Sequence, residues 1–194
     1  NAVDVLKSGG IILYPTDTIW GIGCDSCCDT AVKKVYEIKR RDHSKPLICL
    51  ASSFEMVGEY VEISNLKKLK SISKKSPTTF IFNNPVKISK YVSSNNNSIG
   101  FRVPNDNFCL ELLNKFGRPI VSTSANISGI DIPLEFNLIS SEIKSKVDYI
   151  VNYGKNKESY TASTMGNDAV ILPTWRRDEH QLQRQLQAHT RDVK

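Results

Sequence analysis

Short apolar runs alternate with amphipathic stretches along this chain, and the alternation predicts a fold of mixed strands and helices. Val32, Val35 and Ile38 recur at helical spacing. The helix that they predict runs near Thr30–Ile38, with Asp29 as its cap. Further helices are predicted near Phe54–Val61, Asn65–Ser73 and Phe108–Phe116, the last of them ending at Gly117, and strands near Gly10–Tyr14, Leu47–Ala51, Thr78–Phe82, Ile99–Val103, Arg118–Ala125 and Asp148–Val151. This order is typical of an α/β domain with a twisted, mixed sheet flanked by helices.

The composition is that of an ordinary globular protein. Its 194 residues, 40% hydrophobic and 24% charged, suit one domain with a substantial core. No apolar run reaches about 18 residues, so no membrane span is expected, and the opening segment lacks the pattern of a signal peptide. The formal net charge of +6 permits an anionic partner without identifying one.

Cysteine usage predicts a reducing compartment. The chain has five cysteines, an odd number, which we interpret as reduced thiols in an intracellular, cytoplasmic protein. Cys24 and Cys27 form one C-x-x-C pair. Because no second pair or histidine completes a zinc set nearby, no metal site is expected.

The end of the chain differs in residue usage from the rest. All four glutamines lie in the last 14 residues, and from residue 176 onward Arg outnumbers Lys 4 to 1, whereas before it Lys outnumbers Arg 17 to 4. We therefore assign residues 1–175 to the domain and 176–194 to a tail that is foreign to it. The alternative is a native, partly helical tail, with Leu182 and Leu186 one turn apart.

A cluster of basic residues follows the first amphipathic helix. Its five members within seven residues are Lys39, Arg40, Arg41, His43 and Lys45. Pro46 disfavours a helix at Lys45, and residues two apart in an extended stretch face the same way. Lys39 and Arg41 are therefore predicted to point together at one anion, such as a phosphate. The alternatives are a solvated basic face, or a lysine that complements the helix dipole.

Polar side chains mark the ends of two predicted strands. Thr16, Asp17 and Thr18 follow the first strand, in a loop with tight glycine backbone, where α/β folds commonly bind ligands. The alternative is a turn held by side-chain-to-backbone hydrogen bonds.

In "PIVSTSANISG", Ser122, Ser124 and Asn126 are spaced by two, which predicts three polar groups on one side, able to bind phosphate or a nucleobase. Alternatively, they cap the next element.

A later strand carries a lone arginine. In "SIGFRVP", the polar face is predicted to hold Ser98, Gly100 and Arg102, and an arginine there suits a carboxylate or phosphate ligand. A surface arginine is the alternative. Because the chain has no G-x-x-x-x-G-K-[ST] and no G-x-G-x-x-G loop, any nucleotide must be held by side chains from several segments.

Together these motifs resemble one family. The motifs, which span roughly residues 5 to 165, are "YPTDTIWGIG" from Tyr14, Lys39-x-Arg41 followed by Lys45-Pro-Leu, Arg102-Val-Pro, and Ser124-Ala-Asn-x-Ser-Gly. They resemble the YrdC-like threonylcarbamoyl-AMP synthases in their short, single-domain form. The resemblance implies a twisted sheet with a basic concave cavity. It also implies a nucleotidyltransferase that converts L-threonine, bicarbonate and ATP into threonylcarbamoyl-AMP and pyrophosphate, for the t6A modification of adenosine 37 in tRNA.

The resemblance also implies roles for individual residues. The catalytic set would be Lys39, Arg41, Ser124 and Asn126; the threonine site Thr18, Arg102, Ser122 and Ser163; and the nucleotide site Arg41, Lys45, Ser98 and Ser124. Mg²⁺ would accompany ATP, with no metal site of the protein's own. The product would reach tRNA directly or through a t6A transferase complex.

Three departures from the family pattern leave alternatives open. "SPTTF" from Ser76 lacks the usual glycine, Leu50 stands where a histidine is common, and the late nucleotide-contacting arginine corresponds to Arg176, to Arg177 or to neither. A paralogous carbamoyl-nucleotide enzyme of the same fold is one alternative function. A module that binds tRNA or double-stranded RNA is another, although no RNA-recognition aromatic motif is present.

Overall fold

A computed structural model describes residues 1–93 and 97–155 and a strand at 170–171. The helices are α1 (Ala2–Lys7), α2 (Asp29–Lys39), α3 (Phe54–Gly58), α4 (Leu66–Ser73), α5 (Asn107–Phe116) and α6 (Ser141–Lys146), with a 3₁₀ turn at Phe136–Leu138. The strands are β1 (Ile12–Pro15), β2 (Trp20–Asp25), β3 (Ile48–Leu50), β4 (Phe80–Asn83), β5 (Ser98–Arg102), β6 (Ile120–Ser124), β7 (Tyr149–Ile150) and β8 (Val170–Ile171).

The strands form one mixed sheet, in the order β7-β1-β2-β6-β3-β5-β4-β8. The pairs β1/β7, β3/β5 and β4/β8 are parallel, and the other neighbours are antiparallel. The predicted α/β class, with a mixed sheet flanked by helices, is confirmed. Within the described part of the chain, no helix has the length and apolar character needed to cross a bilayer.

Each face of the sheet packs against its own set of helices. On one face, Cys24, Val121, Cys49 and Phe101 lie opposite one another across four strands, and they pack with apolar residues of α2 and α3. The other face carries a smaller cluster in which residues of β1, β3 and β6 pack against α1 and α5. Its fully or nearly fully buried members are Leu6, Ile12, Tyr14, Leu50, Cys109, Leu112, Leu113, Phe116, Ile120 and Val151.

Local capping explains where the main helices begin and end. Asp106 accepts a hydrogen bond from the Cys109 amide at the start of α5, and Gly117, with a φ of 78°, ends that helix as predicted. At α2 the N-cap is Cys28, so the prediction of Asp29 as cap is wrong by one residue. Asp29 begins the helix instead, where a carboxylate still interacts favourably with the dipole.

The segment predicted as a glycine-rich loop is largely a central strand. Gly21 and Gly23 lie within β2, which pairs with β1 on one side and β6 on the other. A Cβ on Gly23 would lie 2.7 Å from Tyr14 Cε1, so the sheet needs glycine here for close packing. The helices α1 and α6 were also not predicted.

Candidate active site

One end of the α5-covered face carries polar groups instead of an apolar cluster. Ser122 lies opposite Ile48 of β3, which lies opposite Gly100 of β5, so these positions share a face. Ser124 lies two residues after Ser122, and Ser98 lies two residues before Gly100. Because β6 runs antiparallel to β3 and β5 runs parallel to it, both serines lie toward the start of β3, on its two sides. The predicted common face is confirmed for β5 and for Ser122 and Ser124 of β6. Asn126 lies beyond the end of β6, where its amide donates to the Ser124 oxygen, so its predicted place on the same strand face is wrong.

Lys39, the last residue of α2, reaches the end of β6. Its Nζ donates to the main-chain oxygens of Ser124, at 2.5 Å, and of Asn126, at 2.7 Å. A third bond joins Nζ to Asn126 Oδ1 at 3.1 Å. The side chain of Lys39 is buried, with 1% exposed. The two halves of the predicted catalytic set therefore meet, although they are 85 residues apart in the chain.

The buried environment of Lys39 makes its ammonium group lose a proton more readily than a lysine in water does. Burial, followed by the nearby positive charge of Arg41, lowers the pKa of Lys39 to about 7. While it is charged, the ammonium has three N–H groups for three oxygen acceptors. An anion bound close by would favour the charged form.

Arg41 does not follow Lys39 along an extended strand, so that prediction is wrong. Arg40 takes a left-handed conformation, with a φ of 49°, and this turn redirects the chain after the helix. Arg41 then donates from Nε to the Lys45 oxygen, at 3.2 Å, and from Nη2 to the Pro46 oxygen, at 3.0 Å. These bonds hold the Arg41 guanidinium against the Lys45–Pro46 backbone, in the segment that leads into β3.

Arg102 is buried in an ion pair, which excludes the surface alternative. Its Nη2 lies 3.0 Å from Asp17 Oδ1, and the two side chains are 7% and 6% exposed. Arg102 Nε is buried and has no hydrogen-bond partner among the described residues. The Asn105 amide donates to the other oxygen of Asp17 at 3.4 Å. The sequence predicted no role for Asp17, because its partner lies 85 residues away in the chain.

Thr18 lies in a turn organised by Thr16. Thr16 Oγ1 accepts from the Thr18 amide at 3.1 Å and donates to the Ile19 oxygen at 2.7 Å. The turn with side-chain-to-backbone bonds, raised as an alternative, is therefore present. Thr18 itself is buried, and its hydroxyl lies 3.1 Å from that of Thr16.

Tyr14 contacts Ser122 from the same face of the sheet. Its hydroxyl donates to Ser122 Oγ at 2.9 Å, and both side chains are buried. Burial, the largest cause, raises the pKa of Tyr14 far above its usual value, so the hydroxyl stays a donor. Sequence reasoning missed Tyr14 as a site residue. The only available signal was its position at the start of the "YPTDT" motif.

A cavity of about 370 Å³ opens next to this turn. Its lining includes Thr16, Asp17, Thr18, Lys74, Lys75 and Tyr153. Of the predicted site residues within the described part of the chain, only Thr18 lines this cavity. Lys74 and Lys75 were not predicted, although "KKSP" was a visible basic signal. Ser163, Arg176, Arg177 and the predicted tail lie outside the described residues.

Comparison with known proteins identifies the family. The model of the Sua5/YciO/YrdC domain, described as "Telomere recombination", matches residues 4–168. The chain belongs to the Sua5/YciO/YrdC family. The resemblance drawn from the four motifs is therefore confirmed.

Solved structures show the same fold at low sequence identity. P. abyssi Sua5 complexed with L-threonine is 22% identical, with a TM-score of 0.72, over 88% of this chain and 48% of that one. E. coli YciO is 24% identical, with a TM-score of 0.67, over 77% and 74%. Full-length HypF in the phosphate- and nucleotide-bound form is 20% identical, with a TM-score of 0.68, over 77% and 24%. The chain thus spans about half the length of Sua5.

Proposed function

We propose that this protein is a threonylcarbamoyl-AMP synthase, which uses L-threonine, bicarbonate and ATP to supply the activated group for t6A at position 37 of tRNA. The observation that carries the proposal is the junction of Lys39 with Ser124 and Asn126, beside Arg41. Two similar structures support the choice of ligands: Sua5 is described as complexed with L-threonine, and HypF as phosphate- and nucleotide-bound.

The basic groups would offset the repulsion between the two anionic reactants of this reaction. The threonine amine and bicarbonate form a carbamate anion and water. A carbamate oxygen then bonds to the α-phosphorus of ATP, while the bond to the bridging oxygen breaks and pyrophosphate leaves with the electron pair. The two anions repel each other, so cations fixed around them lower the barrier. Arg41 and Lys45 are proposed to neutralise this charge, and Ser98 and Ser124 are proposed to bind the nucleotide with them.

The threonine end of the site is proposed to lie at Arg102. Its unpartnered Nε supports binding of the substrate carboxylate, because a buried N–H without an acceptor costs free energy until a ligand supplies one. Ser122, held by Tyr14, and Thr18 would bind the other polar groups of threonine. Ser163 completes this proposed set.

Mg²⁺ is proposed to enter with ATP, as part of that substrate. Among the residues that the structure describes, no group of three His, Cys, Asp or Glu side chains is placed to hold a metal. The magnesium would neutralise phosphate charge on the nucleotide.

Pyrophosphate release tests the proposal. The protein is incubated with ATP, Mg²⁺, bicarbonate and labelled threonine, and release is followed with each component omitted in turn. We expect release that requires both threonine and bicarbonate, together with a labelled adenylate. Release that is indifferent to threonine would refute the threonine assignment.

A matched pair of variants tests the site. Arg41→Met should reduce pyrophosphate release strongly with little change in melting temperature, because Arg41 lies at the surface of the site. Arg40→Met removes the same charge from the next residue, whose guanidinium pairs with Glu142 at 2.7 Å. We expect it to keep nearly full activity. Equal loss in both variants would mean that general charge matters and not the position of Arg41.

A second candidate is a carbamoyl-nucleotide enzyme with a different acceptor. Two observations favour it: Arg102 already pairs with Asp17, and Leu50, opposite Arg102 in the sheet, is apolar where a histidine is common. The same assay with other amines in place of threonine decides between the two. If tRNA binds with a steep salt dependence and no ATP chemistry occurs, an RNA-binding module replaces both.

A further inference from the structure

The ammonium of Lys39 has no N–H group left for a ligand. A lysine carries three N–H donors, and here three oxygens lie within 3.1 Å of Nζ. All three belong to Ser124 and Asn126. A phosphate could bind Nζ only by displacing one of them.

The side chains of Ser124 and Asn126, next to Lys39, are also hydrogen-bonded to each other. Ser124 Oγ donates its only proton to Asn126 Oδ1 at 2.6 Å. Asn126 Nδ2 donates to the Ile130 oxygen at 2.5 Å, which fixes the orientation of the amide. Asn126 Oδ1 therefore accepts from two donors, Lys39 and Ser124, and this leaves Ser124 Oγ free to accept, but not to donate, toward the site.

A backbone bond completes the connection between α2 and the turn after β6. The Ser128 amide donates to the Lys39 main-chain oxygen at 2.8 Å. Lys39 thus holds this turn, residues 124–128, by its side chain at one end and by its backbone at the other. The end of α2 and this turn are therefore joined by hydrogen bonds at both ends of the turn.

Arg41 differs from Lys39 in its spare donors. An arginine has five N–H groups. Two of them go to the Lys45 and Pro46 oxygens, which leaves three without a partner among the described residues. The guanidinium is therefore both oriented by the protein and able to bind a phosphate.

We propose that Lys39 is a positioning residue: it orients Ser124 and Asn126 through its three hydrogen bonds, while Arg41 is the residue of the pair that contacts the phosphates. The identity of the ligand rests on the proposed function. The hydrogen bonds of Lys39 do not, and the tests below separate the two.

Two substitutions at Lys39 distinguish positioning from direct contact. Lys39→Met removes the ammonium, and Lys39→Arg replaces it with a planar fork that binds phosphate well but cannot present three donors from one nitrogen. For a positioning residue, both variants should lose Mg-ATP affinity by roughly tenfold to a hundredfold, within about threefold of each other. Lys33→Met, which removes an exposed lysine of the same helix, is the control and should bind as the wild type does.

Hydrogen exchange supplies a readout that needs no ligand. In Lys39→Met, the amides of residues 124–128 should lose protection, whereas those of α5 should not. A double variant, Lys39→Met with Asn126→Ala, should bind Mg-ATP no more weakly than the weaker single variant, because both changes disrupt the same turn. ATP affinity within threefold of wild type in Lys39→Arg, or unchanged protection in Lys39→Met, would overturn the proposal.

The unmodified protein decides the case if the variants do not fold. The protein is labelled at lysine and followed by NMR. If Lys39 stays bonded to its three oxygens, its ammonium protons should still exchange slowly when saturating Mg-ATP is added. Loss of the slowly exchanging proton signal, or a new hydrogen bond from Lys39 Nζ to a phosphate, would overturn the proposal. If wild-type protein shows no threonine-dependent pyrophosphate release, the proposed function fails, yet exchange at residues 124–128 still tests the role of Lys39.

Discussion

Replacing Gly23 with alanine tests how closely the sheet packs beneath the proposed threonine site. A Cβ at this position would lie 2.7 Å from Tyr14 Cε1, 2.9 Å from Ile120 Cγ2 and 3.1 Å from the Val121 oxygen. The oxygen belongs to the neighbouring strand, and the Tyr14 ring is buried. Neither can give way without disturbing the sheet or the Tyr14 hydroxyl.

The size of the effect follows from these contacts. Overpacking by one methyl group costs about 1 to 3 kcal/mol. Moving the ring also separates the Tyr14 hydroxyl from Ser122 Oγ, now 2.9 Å away, and a buried hydroxyl without a partner costs about 1 to 3 kcal/mol more. Alanine recovers up to about 1 kcal/mol by restricting the unfolded chain. We therefore expect Gly23→Ala to lower the free energy of unfolding by about 1 to 6 kcal/mol.

Urea unfolding followed by circular dichroism measures this change. Gly58→Ala is the matched control, because a Cβ there meets only Ile63 Cδ1, at 3.9 Å, within α3. That variant should keep or slightly gain stability. In a Tyr14→Phe background the hydroxyl part of the cost is already absent, so Gly23→Ala should cost less. If Gly23→Ala matches the wild type within about 0.5 kcal/mol, the proposed packing of Tyr14 against β2 is wrong.

Three further predictions follow from buried ionisable groups. The pKa of Lys39 falls from 10.5 to about 7 on folding, so the unfolded chain holds this proton to higher pH and stability rises with pH between these values. Relative to Lys39→Met, wild-type protein should gain about 2 kcal/mol of unfolding free energy between pH 7 and pH 9. Asp17→Asn leaves the buried charge of Arg102 uncompensated and should cost about 3 kcal/mol in urea unfolding. Burial raises the pKa of the Cys49 and Cys109 thiols, so iodoacetamide at pH 8 should label them only after unfolding, as mass spectrometry will show.

Each of these has an outcome that contradicts it. A stability difference that stays flat with pH would mean that the three oxygen acceptors keep Lys39 charged throughout. For the ion pair, Glu142→Gln is the control, because Glu142 pairs with the exposed side chains of Arg40 and Lys146 and its loss should cost much less than that of Asp17. Equal costs at Asp17 and Glu142 would refute the argument from burial. Rapid labelling of Cys49 in folded protein would refute the burial of that thiol.

Elements with strong local signals were predicted to within a few residues. The helix α5 has a capping aspartate, apolar spacing and a terminal glycine, and β5 alternates apolar and polar residues. Both signals come from side chains near one another in the chain. The strand β2 was missed because "GIG" reads as a loop until Tyr14 and Ile120 are seen packing against Gly23.

In the candidate site, too, the residues in local motifs were predicted and those that depend on distant partners were not. Motifs identified Lys39, Arg41, Ser124 and Asn126, and the spacing by two correctly placed Ser122 and Ser124 on one face. The extended backbone predicted from Lys39 to Arg41 was wrong, because a left-handed residue at position 40 cannot be recognised in a basic run. Tyr14 and Asp17 gained roles only through partners 108 and 85 residues away.

By itself, the sequence determined the donors and acceptors of its four motifs and predicted the helix and strands, α2, β5 and β6, that carry or precede most of them, because those depend on residue type and local spacing. Only the tertiary structure decided which of these groups remain available to a ligand. Each N–H group is committed once it has a good acceptor, and the acceptors of Lys39 reach it only when the end of α2 packs against the end of β6.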